Sequence, residues 1–554
     1  MRYAIVLVLT LGCASAPETR TPIEPALLFE GMGDHKRRDS TDNELAQRYF
    51  DQGLALAYGF NHDEAAESFS YAARLDPDCA AAHWGEAYAL GPNYNKDHPS
   101  AEKNKRSLAA LERARRARNA SPVERDLIDA LALRFADPQP KDRTALNEAY
   151  AGAMGELWKK YPEDDDIGTL YADALMNLNA WKLWSKDGKP RRHTEEIIAT
   201  LKRVLKMNVN HPLANHLYIH ALEPSPNPKR AEEAADRLAG LVPGIGHLVH
   251  MPGHIYMRIG RYMDSVETNR KATALDRAYF ARKKGTQDTY HWYHAHNEHF
   301  LAWSAMYAGR YEDAVLACER IVAALPKEFL SKPPAAEYVT SIYHVYVRFG
   351  KWEQLLAAPP PPSTRHYALA MHHYGRGIAY ANTARFRQAR GEAAAFERHA
   401  AAVPKDLATR RVPVRDVLEV AREMLAGETA FLSADEEKDK EKGLEHLRRA
   451  VSAEDSYRYQ EPSSWMMPAR HALGALLLDA GEVEEAEAVY RKDLELHAEN
   501  GWALNGLAEC LERQGRAGEA ADVRRRFDVA WSHATVKTNA SCYCRRGADG
   551  VVAK

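Results

Sequence analysis

Hydrophobic residues recur at helical spacing along most of this 554-residue chain, and turns that carry glycine or proline separate the runs. Residues 48–78 (RYFDQGLALAYGFNHDEAAESFSYAARLDPD) show two amphipathic stretches, with the small residues Gly53 and Ala65 at matching places. Small side chains at such places let two helices approach closely. We find no strict alternation of apolar and polar residues that would indicate strands. The pattern therefore predicts an all-α fold built from helical hairpins.

The first hairpin carries the signature spacing of a known repeat. Gly53, Ala65, Phe69, Ala72 and Pro77 are separated by 12, 4, 3 and 5 residues, as in a tetratricopeptide repeat. The chain resembles the tetratricopeptide family, and the runs FNHDEAAESFSYAARLDPDCA, WGEAYALGPNYN, HLYIHALEPSPNP and GHLVHMPGHIYMRIGRY are similar to a group of its bacterial members. The resemblance implies an α-solenoid that forms a right-handed superhelix, with ligands such as a peptide or protein in its concave groove.

Composition shifts divide the chain into five predicted segments. These are a signal sequence with a lipobox-like ending (1–13), a tether rich in proline and charge (14–40), an N-terminal and central solenoid (41–356), a C-terminal solenoid (365–530) and a tail (531–554). The ending LTLGC resembles the bacterial lipobox, in which Cys13 becomes acylated. We therefore expect an exported protein at the periplasmic face of the envelope, held to the outer membrane only by a lipid anchor.

Histidines concentrate between residues 211 and 299, where ten of the 24 lie. His216 and His220 are four residues apart, as are His250 and His254, and the two pairs are offset by 34 residues. Each pair thus projects from one helix face, at equivalent places of neighbouring repeats. Packed helices lie about 8–10 Å apart, so imidazoles from adjacent units can share one ion. The predicted metal ligands are His216, His220, His250, His254, His296 and His299.

Other residues of this stretch are predicted to support the site. Glu223 and Glu298 would complete the ligand set or orient a histidine. Trp292 and Tyr293 would wall a ligand pocket, and His344 falls at a further groove position. Imidazole ligands suit Zn, Cu or Fe rather than Ca or Mg. Two alternatives stay open, namely a metal-free groove that binds an acidic peptide or small anion, and histidines with a structural role only.

Charge and motif content narrow the function. The 75 basic and 77 acidic residues nearly cancel, so no field attracts nucleic acid. We find no catalytic triad, phosphate loop or dinucleotide motif, so any enzyme here would depend on metal. The sequence favours a metal- or partner-binding solenoid, with a metal-dependent enzyme and a metal-free envelope scaffold as alternatives. Cys542 and Cys544 could form a disulfide, bind a soft metal or be exposed thiols.

Overall fold

The computed structural model describes residues 26–37, 41–283, 288–330, 332, 335–361 and 365–545. The predicted signal and lipobox, with Cys13, and residues 14–25 of the predicted tether lie outside these ranges. Of the helices in the described chain, none combines the length and apolar character needed to cross a bilayer.

Helices make up almost all regular structure of the described residues. In the first half they are α1 (Glu44–Tyr58), α2 (His62–Leu75), α3 (Ala80–Leu90), α4 (Ala101–Arg116), α5 (Pro122–Ala132), α6 (Thr144–Lys160), α7 (Asp165–Leu178), α8 (Thr194–Met207), α9 (Pro212–Leu222), a 3-10 helix (Pro228–Ala231), α10 (Glu232–Leu241), α11 (Gly246–His250) and α12 (Pro252–Ile259). In the second half they are α13 (Tyr262–Arg282), α14 (Asp288–Tyr307), α15 (Tyr311–Ala324), α16 (Lys327–Leu330), α17 (Ala335–Arg348), α18 (Trp352–Ala357), α19 (His366–Asn382), α20 (Phe386–Ala401), α21 (Val414–Leu432), α22 (Glu437–Asp455), α23 (Ala469–Ala480), α24 (Val483–Leu496), α25 (Gly501–Arg513) and α26 (Ala517–Ala530).

Successive helices pack as hairpins, and glycines mark where they touch. The ring of Phe69 in α2 lies between α1 and α3, so that a Cβ at Gly53 would come within 2.7 Å of it and one at Gly85 within 2.5 Å. Tyr490 of α24 lies in the same way between Gly474 and Gly506. Only glycine leaves room for a ring at these positions. The predicted all-α solenoid of tetratricopeptide-type hairpins is confirmed.

Residues 26–37 of the predicted tether lie against the first helices. The backbone N–H of Phe29 donates to Gln52 Oε1 at 2.7 Å, and Arg37 donates to Asp164 through both terminal nitrogens at 2.9 Å. This part of the tether is therefore fixed to the solenoid. The proline and charge content that suggested a free linker gave no information on these long-range contacts.

The predicted tail also contacts the helices where it is described, over residues 531–545. Trp531 packs on Trp502 with ring centroids 4.8 Å apart, and Ser541 Oγ donates to the carbonyl of His471 at 2.8 Å. Cys542 and Cys544 are joined by a disulfide bond. The segment is therefore packed against the solenoid over these residues.

The buried hydrophobic side chains form two clusters. One runs from Tyr49 to Tyr256 and the other from Met257 to Cys544. The second cluster continues across the proline-rich break near residues 357–364, so buried packing does not mark a boundary there. The division into two solenoids at that break stays a prediction.

A short β-hairpin, which the sequence did not predict, lies between α20 and α21. Its strands are β1 (Ala408–Thr409) and β2 (Val412–Pro413), paired antiparallel with Ala408 opposite Pro413. Two-residue strands are too short to show alternation. Arg410 at its tip donates to the carbonyls of Glu461 and Pro462 at 2.8 and 3.0 Å. This contact ties the hairpin to the loop 457–468 and brings both segments to the histidine-bearing helices.

Candidate metal centre

Six histidines converge from four helices. His216 and His220 lie on α9, His247 and His250 on α11, His254 on α12 and His296 on α14. The first five are at most 6% exposed. The ring centroids of His220 and His254 lie 6.3 Å apart and those of His247 and His250 lie 5.9 Å apart, so the six rings form one continuous cluster. Five of the six predicted ligands are thus brought together.

The cluster contains two groups that differ in their hydrogen bonding. His216, His220 and His247, which we call the open trio, have ring nitrogens that lie within 4.8 Å of one another. His250, His254 and His296, which we call the bonded trio, meet the same distance. The two trios differ in their capacity to bind a metal, because a nitrogen already used in a hydrogen bond is not available to an ion.

In the open trio, two histidines have one nitrogen held and the other free. His216 Nδ1 lies 2.8 Å from the carbonyl oxygen of Tyr58, and His220 Nδ1 lies 3.0 Å from Glu223 Oε1. Both oxygens only accept, so each Nδ1 carries the proton and each Nε2 carries a lone pair. These Nε2 atoms, and both nitrogens of His247, have no hydrogen-bond partner among the described residues.

The rings of the open trio are held neutral. Burial places the pKa of His216 and of His247 well below its usual value, and repulsion between neighbouring histidines that would both be protonated lowers it further. Burial also lowers the pKa of His220, although Glu223 opposes this. Leaving a buried polar atom without a partner costs about 1–3 kcal/mol. Neutral imidazoles with fixed, unused Nε2 lone pairs are the form in which proteins present histidine to a metal ion.

In the bonded trio, both nitrogens of His250 and both nitrogens of His254 lie against polar or charged neighbours. His250 Nδ1 donates to Asn269 Oδ1 at 2.7 Å, and His250 Nε2 lies 2.9 Å from His254 Nε2. His254 Nδ1 lies 2.7 Å from Glu223 Oε2 and 3.0 Å from Glu461 Oε2. Burial by itself would lower the pKa of His254, but the two carboxylates raise it to about 9. His254 is therefore a cation at neutral pH, unlike the rings of the open trio.

Glu223 connects the two trios, as the sequence predicted for a supporting carboxylate. Its Oε1 accepts from His220 and its Oε2 lies against His254. Burial would raise the pKa of Glu223, but the charge of His254 and the hydrogen bond from His220 lower it strongly. A charged carboxylate at this position orients the His220 ring and increases its basicity, in the way that acidic residues support metal-binding histidines.

Four predicted site residues lie away from the cluster. The ring of His299 packs against Tyr338, Glu298 accepts from Arg277 at 2.9 Å, Trp292 packs on Phe329 with centroids 3.8 Å apart, and His344 packs on Trp465. Glu298 points away because two residues along a helix turn the side chain by about 200° from His296. The others contact α17, α16 or residues near 465 instead. Tyr293 does reach the cluster, where its ring stacks on His247 at 4.9 Å.

The site predicted from sequence lacked one member of the open trio and three residues around it. His247 lies three residues before His250 and so shares its helix face, a signal that was present in the sequence. Phe60 packs its ring 4.4 Å from His216. Tyr94 and Trp181 contact His220 at 5.2 and 5.3 Å. No spacing rule connects these last three to the histidines.

The sequence also marks Phe60, because a phenylalanine stands where other hairpins have a turn glycine. It has φ 58, and the equivalent turn position of other hairpins is glycine, as at Gly260 and Gly309. A bulky residue in the left-handed region is uncommon, and such positions cluster at functional sites. Trp181 with φ 59 and Arg410 with φ 44 lie beside the same cluster. Three strained backbones thus border the histidines.

A second group with metal-ligand chemistry is occupied by hydrogen bonds. His35 and His211 each place Nε2 3.1 Å from Asp166 Oδ1, and Tyr58 donates to the same oxygen at 2.5 Å. Arg37 donates to Asp166 Oδ2 at 3.1 Å. The donors around Asp166 leave it satisfied, and they join residues 26–37 to α7 and α9. We interpret this group as structural.

Comparisons with known proteins give a general likeness only. No family model and no curated protein matches the sequence. Among solved structures, the human IFIT1 dimer with m7Gppp-AAAA is 13% identical with a TM-score of 0.30, covering 88% of this chain and 91% of that chain. Yeast Tom70 is 12% identical with a TM-score of 0.30, covering 88% and 91%. The APC/C hetero-tetramer Cut9-Hcn1 is 12% identical with a TM-score of 0.29, covering 89% and 75%. At these values the likeness carries no argument about ligand or partner.

Proposed function

We propose that this protein binds a transition metal ion at the open trio, through His216, His220 and His247. One observation carries the proposal: the Nε2 lone pairs of His216 and His220 are fixed by hydrogen bonds at Nδ1 and stay without a partner beside an unpartnered His247. An ion would satisfy these buried atoms together. Three neutral nitrogens and no thiolate favour a zinc-class ion with a fourth position for a non-protein ligand.

The surroundings support a small bound ion over a peptide in a groove. The histidines of the open trio are buried, and Phe60, Tyr94 and Tyr293 cover them. A peptide would need these rings exposed along a surface. We therefore assign a binding function centred on the metal, and a metal-dependent enzyme that uses the fourth position is the alternative.

The test is the metal content of untagged protein purified without chelator. We expect the wild type to retain one equivalent of ion, and His216→Ala/His247→Ala to lose it. His344→Ala is the matched control, because His344 is buried on a helix outside the cluster, and it should retain the ion. Circular dichroism would verify that each variant folds. Equal metal in the wild type and in His216→Ala/His247→Ala would refute the proposal.

Two further variants locate the ion. Glu223→Gln should weaken affinity by about 10–100-fold while leaving the stoichiometry at saturation unchanged, because Glu223 orients a ligand rather than serving as one. Glu461→Gln should leave affinity nearly unchanged. The reverse result, in which Glu461→Gln loses the ion and the open-trio variant keeps it, would place the ion among Glu223, His254 and Glu461 and overturn our assignment.

We also propose that the protein is exported and held at the membrane by a lipid anchor. The apolar run and LTLGC ending of residues 1–13 support export with acylation at Cys13. Mass spectrometry of the protein extracted from membranes should find a lipid on an N-terminal Cys13, and Cys13→Ser should release the chain to the soluble fraction. Recovery of unmodified wild-type protein in that fraction would remove the anchor from the proposal.

A further inference from the structure

Arg411 lies near the open trio, at the end of a short hairpin that holds its backbone in place. It follows Arg410 at the tip of the β1–β2 hairpin, where its backbone N–H donates to Gln460 Oε1 at 3.1 Å. Arg410 uses its guanidinium on the carbonyls of Glu461 and Pro462. The guanidinium of Arg411, in contrast, has no hydrogen-bond acceptor within the described parts of the chain. The hairpin therefore fixes the place of a cation without using its donors.

One aromatic ring separates Arg411 from a proposed metal ligand. The guanidinium carbon of Arg411 lies 3.7 Å from the ring centroid of Trp181, and the Trp181 ring contacts His220 edge-on with centroids 5.3 Å apart. Trp181 is held at φ 59, a left-handed backbone conformation that is unfavourable for a bulky residue. Strain of this kind persists where the surrounding structure requires the ring in that position.

The exposed fractions of Arg411, Trp181 and His220 indicate which side of the open trio faces solvent. Arg411 and Trp181 are both partly exposed, whereas His220 behind them is 2% exposed. A molecule arriving from solvent meets the cation and the indole before the histidines. Burial, with the nearby charge of Arg410, lowers the pKa of Arg411 to about 10, so the side chain stays charged at neutral pH but gains from an added negative charge.

We propose that Arg411 binds the carboxylate of a small organic acid, whose body lies beside Trp181 on the solvent side of the open trio. This rests on the metal site proposed above. A guanidinium presents two parallel N–H donors that match a carboxylate, and its stacking on an indole fixes the plane of that fork. A divalent ion with three neutral ligands adds further attraction for an anion.

The experiment is calorimetric titration of the full-length protein with benzoate, with and without bound zinc. We expect binding that zinc strengthens. Arg411→Ala should weaken it about 10–100-fold, the range for losing hydrogen bonds to a charged group. Arg411→Lys should fall between the two, because it keeps the charge and loses the fork. Arg415→Ala is the matched control, since the Arg415 side chain is 69% exposed and pairs with Asp416.

Each outcome separates the two proposals. Equal benzoate affinity in the wild type and in Arg411→Ala overturns the role of Arg411, whatever the metal content. Binding that Arg411→Ala weakens but that zinc does not change overturns the link between acid and ion. Phosphate that binds more tightly than benzoate overturns the carboxylate class. Loss of zinc from the wild type itself would count against the metal site, and benzoate titration of the metal-free protein would still test Arg411.

Discussion

His250 and His254 face each other through their Nε2 atoms at 2.9 Å, a distance at which one ring donates and the other accepts. The hydrogen bonds of Asn269 determine which of the two rings donates. Its Nδ2 donates to the carbonyl of Ser265 at 2.8 Å, so its Oδ1 must accept from His250 Nδ1. His250 Nε2 then carries the lone pair, and His254 donates to it. The proton on His254 is therefore built into the fold, which separates a charged histidine from the neutral open trio.

Replacing that cation should destabilise the protein. In His254→Gln, Glu223 and Glu461 would face each other without the intervening positive charge, and breaking a buried ion pair in this way costs about 3–5 kcal/mol. Urea unfolding at pH 7 would measure the loss. The double variant His254→Gln/Glu461→Gln removes one of the two carboxylates and should recover part of the stability. A single variant that loses under about 1 kcal/mol would show that His254 is not charged in the native state.

Two turn positions allow strain and packing to be separated. Ala384 is exposed with φ 58, and Phe60 is buried with the same φ. Glycine at Ala384 should stabilise the protein by roughly 0.5–1 kcal/mol, because it relieves the left-handed strain without loss of contacts. Glycine at Phe60 relieves the same strain but removes the ring that packs on His216. We therefore expect the free energy of unfolding to fall by about 2–4 kcal/mol. Thermal unfolding of both variants would test this, and equal changes would contradict it.

Glu428 should make stability depend on pH. It is 1% exposed in α21 and accepts from Asn382 Nδ2 at 2.9 Å. Burial raises its pKa from 4.5 to about 7. The native state therefore keeps a proton that the unfolded chain loses, and the free energy of unfolding falls as pH rises from about 4.5 to about 7, by roughly 3 kcal/mol in total.

The control for this dependence is Glu428→Gln, which cannot lose a proton. Relative to the wild type it should gain stability from pH 5 to about pH 7 in urea unfolding, and the gain should level off towards pH 8. A difference between the two proteins that stays constant over this range would rule out the raised pKa.

The contacts of Asp166 predict how residues 26–37 are held. Asp166 is buried, and although burial would raise its pKa, the nearby His211 and His35 keep it well below the usual value. Asp166→Asn removes the charge that these donors share, so a loss of about 3–5 kcal/mol is expected. Trypsin should then cut faster after Lys36 and Arg37 than in the wild type. Asp129→Asn, at a 72% exposed side chain, should leave the cleavage rate unchanged, and unchanged cleavage in Asp166→Asn would refute the role of Asp166.

The sequence by itself determined the hairpins and the helix faces that carry histidine. Gly53 and Ala65 marked a close helix contact, and His216 with His220 had to share one face, because these features depend only on helix geometry and repeat period. The same local reasoning brought His250, His254 and Glu223 to the site. It failed for His299, since an equal place in a repeat did not fix which neighbouring helix the ring would meet. It also failed for Trp292, since closeness to the histidines in sequence did not fix the direction of its ring.

Only the tertiary structure decided what each ring does. The partner that fixes the proton on His216 is Tyr58, 158 residues away in sequence, and the second carboxylate against His254 is Glu461, on a loop after α22. The hydrogen bond made by one nitrogen of an imidazole determines whether the other is a donor, an acceptor or a metal ligand. Those bonds come from segments far apart in the chain, so spacing along the sequence located the histidines but could not distinguish the open trio from the bonded trio.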